Sequence, residues 1–84
     1  MYYVYILKSL KNGRHYIGCT SNVERRIREH NEGCNVSTRN GCPWELIASK
    51  EFDSQAEAFQ IEKKIKSYKG GNAFKRIMLE WANK

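Results

Sequence analysis

No apolar stretch in these 84 residues approaches the roughly 20 residues that a membrane-spanning helix needs. Nor does a charged segment followed by an apolar one open the chain, so the sequence predicts a cytoplasmic protein. Cysteine is scarce and odd in number: Cys19, Cys34 and Cys42 argue against a disulfide framework. A zinc site is disfavoured as well, because there is no C-x-x-C pair and His15 and His30 are scattered. The thiols read as reduced and mostly structural. Acidic residues are the other shortage. Nine Asp and Glu against fifteen Lys and Arg leave a net charge of +6, which favours nucleic acid or another polyanion as partner. A solvated basic surface has the same composition, so only a discrete site gives that charge a meaning.

What is present suffices for one domain, residues 1–84, with one modest core: 40% of residues are hydrophobic, and no linker, repeat or low-complexity segment interrupts them. Residues 2–8 are aromatic and β-branched and read as a strand. Asn12-Gly13 is the strongest turn signal in the following segment, and residues 14–19 form the return strand. Side chains alternate across a strand, so parity decides who shares a face. If Tyr5 faces Tyr16, or if a tight Asn12-Gly13 turn sets Tyr5 opposite Thr20, then Tyr3, Tyr5 and Tyr16 emerge on one face. Val4, Ile6 and Ile17 take the other.

Ser21-Asn22-Val23-Glu24 has the S-x-x-E form of a capping box, so a helix starts at Asn22 or Val23, and Gly33 is a natural stop. Arg26 and His30, at i and i+4, share a face of that helix beside an apolar stripe of Val23 and Ile27. The segment from Gly33 to Pro43 reads as a loop whose Thr38-Arg39 is placed to touch phosphate. Trp44 to Phe52 is a third strand, with Pro43 just before it where a missing N–H does least harm. Ser54-Gln55-Ala56-Glu57 is a second capping box, opening a helix to about Tyr68.

On a wheel of about 100° per residue, Ile61, Ile65 and Tyr68 lie within about 80° of Ala58 on one side, and Glu62 about 40° on the other. A carboxylate inside an apolar arc is costly unless it is paired, hydrogen-bonded or bound to a metal. Lys63, Lys64, Lys66 and Lys69 accompany it as candidate contacts to a phosphate backbone, or as a solvated face. Gly70-Gly71 then breaks the backbone, Asn72 is placed to cap a last helix, and Phe74, Ile77, Met78 and Trp81 form its core face. The predicted fold is α+β: a three-stranded, mainly antiparallel sheet flanked by helices, in the order β-β-α-β-α-α.

Tyr3-Val4-Tyr5 and Tyr16-Ile17-Gly18 resemble the two half-motifs of the GIY-YIG nuclease superfamily. The spacings agree: 11 residues from Tyr5 to Tyr16, 10 on to Arg26 and 4 on to His30. The helix around Glu62 is similar to the one that carries the family's metal-binding glutamate, and Asn72 resembles its late asparagine. The likeness spans nearly the whole chain and is greatest to small, standalone bacterial members. Two positions depart from the pattern: Tyr3 replaces the first glycine, and Cys19 stands where many relatives carry a polar or basic residue.

The resemblance implies hydrolysis of a DNA phosphodiester with one divalent cation, Mg²⁺ or Mn²⁺, on Glu62. It also implies Tyr5, Tyr16, Arg26 and His30 as catalytic residues. Arg26 would brace a non-bridging oxygen, and one tyrosine, helped by a nearby cation to lose its proton, would serve as general base. His30 would be that helper, a proton shuttle or a phosphate ligand. Arg26, Arg39, Lys63, Lys66 and Asn72 are the expected nucleic-acid contacts. All five catalytic residues are expected to converge on one cleft over one face of the sheet. Three other readings stay open at this level: a non-cleaving nucleic-acid-binding module of the same fold, or one active only with a partner; a structural or protein-interaction domain whose basicity is incidental; and a structural Arg26–Glu62 ion pair with no metal.

Overall fold

Strand β1 (Tyr2–Ser9) pairs antiparallel with β2 (His15–Thr20) on one side and with β3 (Trp44–Phe52) on the other, giving the sheet order β2-β1-β3. Helix α1 (Val23–Asn31) joins β2 to β3, and α2 (Gln55–Ser67) and α3 (Gly71–Ala82) follow. The α+β architecture and the β-β-α-β-α-α order are those the sequence predicts. The computed structural model describes residues 1–33, 42–68 and 71–82, so the Thr38-Arg39 segment and Lys69 lie outside the described residues.

The hairpin register lies between the two anticipated ones. Tyr5 pairs with Gly18 and Leu7 with Tyr16. The turn is longer than two residues because Ser9 organises it: its Oγ accepts from the backbone N–H groups of Lys11 and Asn12, both at 3.1 Å. Gly13 takes the left-handed conformation, at φ 76°, that closes the return. Parity survives the shift, so Tyr5 and Tyr16 do share a face.

Each face of the sheet has its own core. Val4, Ile6, Ala48, Ala58, Ile65, Phe74 and Trp81 bury one face beneath α2 and α3. Tyr5, Leu7 and Trp44 bury the other, with Tyr16 and with Ile27 of α1 packed against them. Val4, Ile6 and Leu7 are fully buried, each worth about 1.5–3 kcal/mol of transfer free energy. Strand β3 serves both cores through a register shift against β1 between Ile6 and Leu7. Ile6 pairs with Ala48 but Leu7 with Leu46, which leaves Ile47 as the extra residue and swaps the faces of the even-numbered positions. Trp44 therefore joins the α1 side, while Ala48 and Phe52 join the α2–α3 side.

Two local expectations change and one holds. Asn22, not Ser21, caps α1, its Oδ1 accepting from the Arg25 N–H at 3.0 Å. Ser54 caps α2 as expected, accepting from the Glu57 N–H at 3.2 Å. Asn72 does not cap α3: the helix has already begun at Gly71, and Asn72 is an exposed residue of its first turn.

Candidate active site

Tyr5 is the centre of the α1 side. It sits in the middle strand with 1% of its surface exposed, opposite Gly18, and its ring occupies the space a side chain there would take. A Cβ built on Gly18 would lie 2.5 Å from Tyr5 Cζ and closer still to the hydroxyl oxygen. This is why the second half-motif needs its glycine; room for a helix to approach, the bland explanation, is not what the position provides. Gly18→Ala is expected to displace the ring at a cost of about 1–3 kcal/mol. A melting temperature equal to the wild type's would refute that packing role.

The Tyr5 hydroxyl lies 3.0 Å from His30 Nε2 and accepts from Arg26 Nε at 3.4 Å. Helix α1 delivers both partners because positions 26 and 30 are one turn apart on the side facing the sheet. His30 is fully buried, with Tyr16 packed edge-on at 4.8 Å between ring centroids. Burial, then the Arg26 charge, lowers its pKa below the ordinary 6.5, so the ring is neutral near pH 7. The ring is thus sealed from solvent on the α1 side of the sheet.

Tyr5 itself is pushed up to about 12, because burial outweighs the hydrogen bond and charge of Arg26. A neighbouring cation is present, as the resemblance requires, yet it does not produce a standing phenolate. With Arg26 already donating to the phenol oxygen, we assign the phenol proton to the bond with Nε2. Tyr16 packs at 6.2 Å from the Trp44 ring, and its hydroxyl makes no hydrogen bond to another described residue. The α1 end of β3 is pinned by Asn31, whose Oδ1 accepts from the Trp44 N–H at 2.6 Å.

Glu62 corrects the expectation of a single face. It belongs to α2, whose Ala58 and Ile65 bury against the opposite side of the sheet from Tyr5 and Tyr16. Helical periodicity placed Glu62 with the apolar arc, but which face that arc covers was decided by tertiary packing. Glu62 is 7% exposed and its Oε2 lies 3.4 Å from Lys66 Nζ, one turn on. Arg26 instead binds Glu29 at 3.1 Å, so the Arg26–Glu62 ion pair does not form. The two halves of the site meet electrostatically at edge strand β2. The Glu62 charge adds to burial in raising the Cys19 thiol, and contributes to the raised Tyr5 hydroxyl as well.

Residues 1–81 match the GIY-YIG catalytic domain. The chain belongs to the GIY-YIG family, and so to a superfamily of nucleases. It is 45% identical over 67 residues to a UPF0213 protein of Natronomonas pharaonis, covering 79% of this chain and 78% of that one. A UPF0213 protein of Staphylococcus haemolyticus is 38% identical over 77 residues, covering 90% and 93%. The solution NMR structure of a UPF0213 protein from Bacillus halodurans superposes with a TM-score of 0.53 at 35% identity, covering 95% of this chain and 84% of that one. No described helix is long and apolar enough to cross a membrane.

Within this GIY-YIG domain, the donor set decides what cation suits Glu62. Among the described residues no three His, Cys, Asp or Glu side chains cluster as a metal cage. The buried Glu62 carboxylate, with Lys66 3.4 Å away, is the donor that would hold a hard cation such as Mg²⁺ or Mn²⁺. Of the expected nucleic-acid contacts, Lys63 is exposed over the Phe59 ring at 4.9 Å, and Lys66 is exposed beside Glu62. Arg26 is half-buried with its guanidinium partly in solvent, and Asn72 lies apart on α3.

Sequence reasoning missed the Tyr5–Gly18 contact and the Glu29 partner of Arg26. The Glu62–Lys66 pair was legible in its i,i+4 spacing.

Proposed function

We propose that this GIY-YIG domain is a divalent-metal-dependent endonuclease that hydrolyses phosphodiester bonds in structured or damaged DNA. The observation that carries the reading is the Tyr5 hydroxyl, held between the Arg26 guanidinium and a neutral, buried His30, with the Glu62 charge within electrostatic reach. A phenol with a pKa of about 12 is a poor standing base. Coupled to a neutral imidazole it becomes a relay. As water attacks phosphorus, Tyr5 Oη takes the water's proton while passing its own to His30 Nε2, so no free phenolate need accumulate. The P–O bond to the leaving nucleotide breaks, and the leaving oxygen takes a proton from solvent.

Arg26 donates to a non-bridging oxygen, and its bond to Tyr5 keeps relay and phosphate in register. Tyr16, packed beside His30 with no hydroxyl hydrogen bond to another described residue, orients the water. Mg²⁺ or Mn²⁺ on Glu62 would supply Lewis-acid stabilisation of the charge on phosphate and leaving oxygen. Lys66 already satisfies part of the Glu62 charge, an observation that favours a second reading: a domain that binds nucleic acid and cleaves only once a partner or substrate draws that ammonium away.

The test is nicking of duplex, flap, fork, single-stranded and RNA substrates with Mg²⁺ or Mn²⁺, followed across pH. The relay needs His30 unprotonated, and its pKa is lowered, so activity is fully present at pH 7 and is lost only as pH falls below the ordinary histidine range. Rates that instead climb with pH toward the raised Tyr5 pKa of about 12 would identify a phenolate base. Metal-dependent products from none of the substrates would leave the binding reading.

A further inference from the structure

An open cleft of about 450 Å³ runs from Tyr16 along the outer side of β2, lined by Arg14, His15, Ile17, Ile65, Lys66 and Phe74. The site described above does not use its far end. Two chemistries meet in it. Arg14 and Lys66 are exposed cations on separate elements, β2's leading edge and α2. Between them lies a wall of rings and branched side chains: His15 packs against the buried Phe74 at 5.2 Å between centroids, the rings tilted by 54°, with Ile17 and Ile65 beside them. Burial and the Lys8 charge lower the His15 pKa, so that ring offers a neutral face near pH 7. The opposing charge beside the cleft is Glu62, whose Oε2 lies 3.4 Å from Lys66 Nζ.

We propose that this cleft takes one unpaired nucleotide next to the scissile phosphate, its base against His15 and the apolar wall and its phosphate between Arg14 and Lys66. The proposal rests on the nuclease reading for the position of the scissile phosphate and adds a substrate preference to it. The volume lies in the range of small-molecule sites. Base stacking on a protein ring is tolerant of sequence, while the cations read backbone charge. A base inside a duplex has both faces covered by its neighbours and cannot lie against this wall. The cleft thus favours DNA or RNA with single-stranded character, such as flaps, gaps and loops, over continuous duplex.

Binding without metal tests this independently of cleavage. Fluorescence titrations at one fixed salt concentration would compare a gapped duplex with a continuous duplex of equal length. The gapped form is expected to bind more tightly. His15→Ala, at an exposed position outside the catalytic set, should cost the gapped form about tenfold in affinity while changing duplex binding little. Equal affinities in the wild type, or a preference untouched by His15→Ala, would overturn the proposal even if cleavage is confirmed. The reverse outcome, a preference lost in His15→Ala with no metal-dependent products on any substrate, would retire the nuclease reading and keep the cleft.

NMR titration of the folded wild-type chain gives a second readout. Thymidine 5′-monophosphate should shift the His15, Ile17 and Phe74 signals, and inorganic phosphate should not. Shifts confined to Arg14 and Lys66 with both ligands would reduce the cleft to an anion site and overturn the base-stacking claim.

Discussion

Glu62→Gln should fold like the wild type and lose metal-dependent cleavage by at least about a hundredfold, the scale set by removing one group that stabilises transition-state charge. The two effects separate because of where Glu62 sits. Its ionic partner is Lys66, whose side chain is 53% exposed and remains hydrated when the carboxylate goes. A neutral amide is cheaper to bury than a carboxylate, so the unfolding free energy should stay within about 1 kcal/mol of the wild type's. Had Glu62 paired with Arg26, the same change would have stranded a buried charge and cost several kcal/mol. That pair is not formed. DNA binding should hold or strengthen, since a negative charge near the phosphate is removed. Cleavage at the wild-type rate by Glu62→Gln, at any stability, would sink its assignment to the metal.

Tyr5→Phe is the second large effect, and it is expected in both columns. It removes the hydroxyl that Arg26 and His30 share, and the loss of a buried hydrogen bond costs about 1–3 kcal/mol. Cleavage should fall by about 10²–10⁴, the range of a general acid–base group. Loss of rate alone would not tell a relay from a packing defect. The relay makes Tyr5 and His30 one device, so Tyr5→Phe/His30→Gln should be no slower than the worse single variant. Losses that multiply would mean that the two residues act separately. The acid limb at the lowered His30 pKa should also vanish from the Tyr5→Phe profile while residual activity persists.

Much of the site was legible because it is local. Arg26 and His30 are one helical turn apart, and Tyr5 and Tyr16 share strand parity in any register with an odd index sum. Those relations hold wherever the helix and hairpin end up. The expected convergence over one face failed for the opposite reason. A helical wheel ranks residues around one axis and says nothing of which side of a sheet that axis will cover. Glu62 kept company with Ala58 and Ile65 as periodicity required, but the pair packed on Val4 and Ile6 rather than on Tyr5.

By itself, then, the sequence determined the element order, the helix starts near Asn22 and Ser54, the strand spanning Trp44 to Phe52 and the polar residues facing inward from α1 and α2. Periodicity, caps and turn residues act over a few positions, and no distant contact can rewrite them cheaply. Tertiary structure alone decided three things: that α1 and α2 cover opposite faces, that Tyr5 lies over Gly18, and that burial outweighs Arg26 in setting the Tyr5 pKa. Each of these is a balance between residues far apart in the chain. Its sign depends on how much water is excluded and how closely two surfaces meet, and only the packed chain sets either quantity.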